Sequence, residues 1–151
     1  MTLTVEPGDP RDPAASALLA QSHALMRSLF PPEDNFFLDI DALAAPGIAF
    51  FVARQDGEAL GTAALAEKPG YGEVKSMFVA DAARGLGVGA ALLARLEAEA
   101  RARGLGWLML ETGDALQAAH RLYARAGFTL RGPFGDYPAA KTSLFMEKRL
   151  G

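Results

Sequence analysis

The sequence of 151 residues contains no cysteine and only two histidines, His23 and His120. The lack of cysteine excludes a disulfide framework, a thiolate nucleophile and any metal site built on thiolates. Two histidines are too few for the histidine-rich centres that hold zinc in many enzymes, so we expect no metal site.

Basic charge and long apolar runs are also scarce. The net charge is −3, so the chain as a whole attracts neither nucleic acid nor an anionic membrane. The longest apolar stretches, such as IAFFVA from Ile48, are too short to cross a bilayer. The N-terminus lacks the basic-then-apolar order of a signal peptide. We therefore expect a cytoplasmic protein with no nucleic-acid or membrane partner, folded as one domain over residues 1–151.

Periodicity and chain breakers predict a mixed α+β fold. The predicted strands are Thr2–Glu6, Ile48–Arg54, Ala59–Glu67, Glu73–Ala80, Trp107–Glu111, Phe128–Gly132 and Ser143–Arg149, and the predicted helices are Ala14–Phe30, Phe36–Leu43, a long one reaching Arg103 and a short one within Leu116–Gly127. This order indicates a mixed, mostly antiparallel sheet. Its one parallel βαβ crossover joins Glu73–Val79 to Trp107–Glu111 through the long helix.

Three glycines in five residues, Gly85, Gly87 and Gly89, stand at the start of the helix in that crossover. A helix N-terminus presents unpaired N–H groups and the positive end of the helix dipole. Glycines let a ligand approach this backbone without meeting a Cβ atom, and phosphate is the usual ligand. Arg84 adds a forked cationic donor. Because one tight turn needs only one glycine, the cluster favours an anion site over a plain turn.

Two common phosphate-binding motifs fit the segment RGLGVGAA poorly. A P-loop needs Gly-Lys-Ser/Thr at the helix start, whereas Gly-Ala-Ala stands here. A dinucleotide fingerprint matches GLGVGA loosely, with Glu111 at a suitable distance, but its glycines should follow the strand directly and five residues intervene here. A nicotinamide-binding domain is therefore the weaker alternative.

The longer block VKSMFVADAARGLGVGAALLARLEAEA resembles the coenzyme A-binding segment of the GNAT family of N-acetyltransferases. Arg84, Gly87 and Gly89 match the family pattern Gln/Arg-x-x-Gly-x-Gly/Ala. The segments WLMLET and AAHRLYARAGFTLRG are similar to the family's next strand and to its A-x-x-L-Y-x-x-x-G-F segment. The segments PPEDN, FGDYP and FMEK are similar to a bacterial subgroup of small members. The resemblance covers nearly the whole chain and implies the acyl-CoA N-acyltransferase fold.

The resemblance implies an acetyl-CoA-dependent N-acetyltransferase. The backbone from Arg84 to Ala90 would cradle the pyrophosphate, and Met77–Val79 would pair with the pantetheine amides where two strands splay apart. The implied cofactor-binding residues are Met77, Phe78, Val79, Arg84, Gly85, Leu86, Gly87, Val88, Gly89, Ala90 and Tyr123. Members of the family are often dimers, so a homodimer is compatible with the resemblance.

Without cysteine no acyl-thiol enzyme can form, which favours direct attack by an amine on the thioester in a ternary complex. The N–H group of Val79 is the expected oxyanion donor. Tyr123 occupies the tyrosine position of the family's L-Y motif, and this resemblance implies that Tyr123 is the general acid for the leaving thiolate. Its phenol is protonated at neutral pH and can therefore donate a proton. Glu73 is the first choice as general base, because alternation along a strand puts it on one face with Lys75, Met77 and Val79. Glu111 or a chain of water molecules are the alternatives.

By resemblance, the acceptor enters between the first two helices and the last strand loop. Glu33, Asp34 and Tyr137 are therefore the expected substrate residues, and the acidic side chains favour a small amine or an amino-acid-like acceptor that arrives as a cation. A protein or peptide amine is an alternative acceptor. A non-catalytic sensor of acetyl-CoA or CoA would use the same backbone cradle without turnover.

Overall fold

The computed structural model describes residues 2–151, which form one sheet with helices on both faces. The strands are β1 (Leu3–Pro7), β2 (Ile48–Gln55), β3 (Glu58–Lys68), β4 (Tyr71–Val79), β5 (Trp107–Gly113), β6 (Thr129–Arg131) and β7 (Ser143–Arg149), and the α-helices are α1 (Pro13–Leu29), α2 (Ile40–Leu43), α3 (Val88–Ala102) and α4 (Gln117–Arg125). No helix within residues 2–151 is long and apolar enough to cross a membrane.

The sheet has the strand order β1-β2-β3-β4-β5-β7-β6. Every neighbouring pair is antiparallel except β4 and β5, which are parallel and joined through α3. The predicted α+β class with one parallel crossover is confirmed. The chain order of elements does not reveal that β7 lies between β5 and β6, because either hairpin arrangement would satisfy the same sequence pattern.

Two hydrophobic clusters hold the helices to the sheet. On one face, α3 buries Leu92, Leu96 and Ala100 completely against residues of the sheet. Their spacing of four residues places them on one side of the helix. On the other face, Leu19 of α1 packs with Phe50 of β2. Both faces of the central strands are thus covered, which explains their long apolar runs.

The parallel strands β4 and β5 pair at only two positions, Gly72 with Leu108 and Glu73 with Met109. Beyond them the strands diverge, as the family resemblance implied. The two strand ends therefore leave a gap in the middle of the sheet, on the side where α3 and α4 begin.

A β-bulge in β4 overturns the prediction that Glu73, Lys75, Met77 and Val79 share one strand face. Lys75 lies opposite Ala64 and Phe78 opposite Thr62, so β4 has one residue more than β3 between these pairs. The extra residue reverses the alternation. Val79 consequently packs in the cluster beneath α3, whereas Lys75 lines a cleft together with Ser22 and Met26 of α1.

The bulge is centred on Ser76, which has a positive φ of 52°. This conformation is uncommon for a residue with a side chain. The buried Thr62 hydroxyl donates a hydrogen bond of 2.8 Å to the Ser76 carbonyl, which stabilises the bulge. Backbone strain of this kind is often found where the chain forms a functional site.

The second predicted helix, Phe36–Leu43, is wrong in its first half. Only Ile40–Leu43 is helical, and the Asp39 carboxylate caps it by accepting a hydrogen bond of 2.8 Å from the Ala42 N–H. Phe36 to Leu38 form no helix, and the residues on either side of them, Asn35 and Asp39, have extended backbone angles. We call residues 35–39 the extended segment; within it the Phe36 carbonyl accepts a hydrogen bond from the Lys75 ammonium. The apolar pattern that predicted a helix serves instead to line a cleft.

Candidate active site

The gap between β4 and β5 continues into a cleft of about 740 Å³, counting its open mouth. The lining residues are Ser22, Met26, Phe30, Asp34, Asn35, Phe36, Phe37, Val74, Lys75, Ser76, Met77, Glu111, Thr112, Gly113, Leu116, Ala119 and Tyr123. They come from α1, the extended segment after it, both diverging strands and the start of α4. Of the predicted site residues it contains Met77, Tyr123, Asp34 and the alternative base Glu111, whereas residues 84–90 lie outside its lining.

The Val79 N–H points into the gap. The Ala80 N–H donates to the Leu60 carbonyl of β3 at 2.9 Å. Because N–H groups of successive strand residues point in opposite directions, the Val79 N–H points away from β3 and toward β5. No pairing with β5 is formed at that position within the described chain. This donor is therefore available to a ligand.

The start of α3 is open in the same way. Gly85 and Gly87 have φ values of 82° and 79°, which favour glycine. The first helical bond is donated by Ala91 to the Gly87 carbonyl at 3.0 Å, so the three preceding N–H groups have no helical acceptor. No side chain of residues 2–151 caps the helix. A Cβ atom at Gly85 or Gly87 would meet nothing within 4 Å, so the space before this turn is free.

Gly89 has a different local environment. A Cβ atom there would lie 2.7 Å from the Leu122 side chain of α4. The missing side chain thus lets α4 pack closely on the first turn of α3. Arg84, by contrast, is exposed and pairs with the Asp81 carboxylate at 3.2 Å.

Tyr123 is 5% exposed and lines the cleft from α4. Its ring packs edge-on against Phe128, with 5.7 Å between the ring centroids. Burial, together with the negative charge of Glu111, raises the pKa of the Tyr123 phenol above its usual value. The phenol is therefore protonated throughout the neutral range and can donate a proton or a hydrogen bond.

Glu111 is a half-buried carboxylate that lines the cleft. It stands on β5, and its side chain accepts a hydrogen bond of 2.7 Å from the Ser143 hydroxyl of β7. Burial raises the pKa of Glu111, and so do the negative charges of Glu73 and Asp34. The hydrogen bond from Ser143 and the positive charge of Lys75 lower this pKa, but the net shift is upward. A carboxylate with a raised pKa is a stronger base than an exposed one.

Glu73 is 5% exposed but does not line the cleft. Its carboxylate accepts a short hydrogen bond from the Tyr137 hydroxyl and lies 3.4 Å from the Lys75 ammonium. Lys75 also donates to the Tyr137 hydroxyl at 2.7 Å and to the Phe36 carbonyl at 3.1 Å. Tyr137 and Glu73 thus form a network behind Lys75, and only Lys75 reaches the cleft.

Of the three expected substrate residues, only Asp34 lines the cleft. One of its carboxylate oxygens accepts a hydrogen bond of 2.8 Å from the Thr142 hydroxyl. Its neighbour Glu33 is exposed and outside the cleft. Tyr137 lies in the network described above and packs against Phe134 and Phe145.

Sequence reasoning missed Asn35, Phe30 and Gly113. The Asn35 amide donates to the Phe30 and Pro31 carbonyls at 3.4 Å each, which ties the extended segment to the end of α1. Phe30 packs so closely on Gly113 that a Cβ atom there would overlap its ring. A glycine at the end of an apolar strand was the one signal for this contact.

A mixed sheet whose parallel strands splay beside an open helix start is the arrangement of the acyl-CoA N-acyltransferase fold. The model of the acetyltransferase (GNAT) family matches residues 17–128. The chain is 45% identical over 150 residues to an IAA acetyltransferase of Azospirillum brasilense, covering 98% of each chain. A Klebsiella pneumoniae structure assigned as an acyl-CoA N-acyltransferase matches with a TM-score of 0.83 and 34% identity, covering 99% of this chain and 98% of that one.

The fold is shared more widely. The yncA protein of Salmonella typhimurium, whose structure contains acetyl-CoA, matches with a TM-score of 0.73 and 24% identity over 100% of this chain and 95% of that one. The present chain belongs to the GNAT family and is an N-acetyltransferase that depends on acetyl-CoA, the co-substrate of that family.

Proposed function

We propose that the protein transfers the acetyl group to the primary amine of a small molecule within a ternary complex. The observation that carries this proposal is that Met77 and Tyr123 line the same cleft as Asp34 and Glu111. We call the part of this cleft beside α1 and the extended segment the acceptor end. The two carboxylates favour a cationic acceptor, and the walls from α1 and the extended segment enclose it.

The acetyl-CoA site is proposed at the open start of α3 and along the free edge of β4. Acetyl-CoA supplies the acetyl group as a thioester. The N–H groups of Gly85 and of residues 87–90 suit a diphosphate, because they are unpaired at the positive end of a helix, whereas those of Arg84 and Leu86 donate to the Asp81 and Ala83 carbonyls. The edge of Met77–Val79 suits the amides of the pantetheine arm. We assign Gly89 to helix packing and Gly85 and Gly87 to the ligand, since only the latter two border free space.

In the reaction we propose, the amine nitrogen bonds to the acetyl carbon and the carbon–sulfur bond breaks. The Val79 N–H stabilises the negative charge that develops on the acetyl oxygen. Tyr123 donates its proton to the departing thiolate. An acceptor that binds as an ammonium first gives one proton to a carboxylate or to water beside it, which frees the lone pair for the attack. After the attack the nitrogen loses a second proton, which restores the Tyr123 phenol, so the products are the acetamide, the CoA thiol and one proton released to solvent.

For the base we propose Glu111 instead of Glu73. Glu111 borders the cleft and has a raised pKa, while the Glu73 carboxylate is occupied by Tyr137 and Lys75. Glu73 then has a positioning role, because it fixes the side chains that border the acceptor end.

Release of free CoA from acetyl-CoA, followed with a thiol reagent, tests the proposal. The chain has no cysteine, so the enzyme itself gives no background in this assay. We expect turnover with small primary amines. Turnover only with lysine-bearing proteins or peptides would contradict the small-molecule acceptor. Binding of acetyl-CoA without turnover on any amine would contradict the catalytic assignments.

A further inference from the structure

We propose that the acceptor is an amine with an uncharged, apolar body, and that a carboxylate beside the amino group is rejected. This inference rests on the proposed function and names the substrate class of the same cleft. It follows from the apolar side chains that line the acceptor end and from the ion pair that already neutralises Lys75 there.

The acceptor end of the cleft has an apolar wall on the side of α1 and the extended segment. Met26 and Phe30 come from the end of α1, and Phe36 and Phe37 follow a few residues later. Phe37 is held flat by His23, whose ring stacks on it with 4.1 Å between centroids. A flat or branched hydrocarbon group fits such a surface, and it gains the hydrophobic transfer energy by leaving water.

Lys75 is the only cation among the described residues that line the cleft. An ammonium has three protons to donate. Lys75 directs two of them to the Phe36 carbonyl and the Tyr137 hydroxyl, and the Glu73 carboxylate, 3.4 Å away, neutralises its charge. A substrate carboxylate would therefore have to compete with Glu73 for the charge of Lys75.

The remaining charges in the cleft repel a carboxylate. Asp34 and Glu111 are both acidic. His23, behind Phe37, adds no positive charge at neutral pH, because burial and the neighbouring Arg27 lower the pKa of its ring. Arg27 itself is exposed, stacks on the outer part of Phe37 and does not line the cleft. The acceptor end thus favours an ammonium and, among the described residues that line it, offers a carboxylate hydroxyl groups but no unpaired cation.

Matched acceptor pairs test this inference with the intact enzyme and acetyl-CoA. We expect kcat/KM for phenethylamine to exceed that for phenylalanine at least tenfold, and the same for isoamylamine over leucine. Phenylalaninamide, which keeps the bulk of the amino acid without its charge, should recover most of the loss. Phenylalanine used as well as phenethylamine would overturn the inference while the proposed acetylation of small amines stands.

An Asp34→Asn variant adds a second readout. The amide keeps an oxygen for the Thr142 hydroxyl, so the fold should be preserved. We expect KM to rise for phenethylamine, KM for acetyl-CoA to stay unchanged, and the preference over phenylalanine to fall severalfold. Glu58→Gln, an exposed position outside the cleft, is the matched control. An unchanged preference in Asp34→Asn would contradict the charge argument. Failure of every amine in the panel would instead remove the proposed function itself.

Discussion

Replacing Tyr123 with phenylalanine removes one hydroxyl and tests the proposed general acid. The phenylalanine ring keeps the buried position and the contact with Phe128. None of the described residues forms a hydrogen bond with the hydroxyl, so its loss leaves no protein partner unsatisfied. We therefore expect the free energy of unfolding to change by less than about 1 kcal/mol.

The catalytic effect should be much larger. Proton transfer by a positioned acid contributes about 10²- to 10⁴-fold, which corresponds to about 3 to 5 kcal/mol in the transition state. We expect the Tyr123→Phe substitution to lower kcat by a factor in this range when acetyl-CoA and amine are both saturating. The dissociation constant for acetyl-CoA, measured by calorimetry, should stay within about threefold, since the phenol acts on the departing sulfur.

A matched control separates the acid from a general effect of losing a phenol. Tyr71→Phe removes the hydroxyl of a partly exposed tyrosine that packs on Phe134 outside the cleft, and it should leave kcat unchanged. Because burial raises the pKa of Tyr123, the wild-type rate should also show no loss from its deprotonation between about pH 7 and 9. A kcat within threefold of wild type in Tyr123→Phe would refute the assignment.

Three further substitutions test other parts of the site. In the wild-type enzyme, the rate should fall on acidification with a midpoint above the ordinary pKa of glutamate, because burial raises the pKa of Glu111. Glu111→Gln should lower kcat/KM and abolish this fall; a rate that still falls on acidification in the variant would exclude Glu111 as the base. Gly89→Ala should cost about 1 to 3 kcal/mol of unfolding free energy through Leu122, with little change in CoA affinity; a large loss of affinity at normal stability would contradict the packing role. Gly113→Ala should displace the Phe30 ring and raise KM for the amine more than for acetyl-CoA; equal changes would argue against a wall at this point.

Much of the fold could be predicted because its signals are local. Alternating or continuous apolar runs bounded by glycine and proline identified all seven strands, and the spacing of leucines identified α3. The position of β7 between its neighbours could not be predicted, since it depends on which strand edges meet after the chain has folded.

The errors at the site have the same origin. The bulge at Ser76 leaves no signature in the segment EVKSMFVA, yet it moves Val79 to the other face of the sheet. Simple alternation therefore assigned Glu73 to the face of the strand end. Likewise, the spacing of apolar residues in Phe36–Leu43 suits a helix, but the cleft needs an extended segment there to present phenylalanine side chains.

Calorimetric titration with CoA fragments tests the central claim most directly, namely that main-chain N–H groups at the start of α3 bind the diphosphate. Dephospho-CoA, which retains the diphosphate, should bind nearly as well as CoA. Pantetheine, which lacks the diphosphate and the adenosine, should bind at least about 100-fold more weakly than dephospho-CoA even when adenosine is added to the same solution, the equivalent of two charge-assisted hydrogen bonds of about 1.5 kcal/mol each. Equal affinities for pantetheine and CoA, or no heat with any CoA species, would contradict the account.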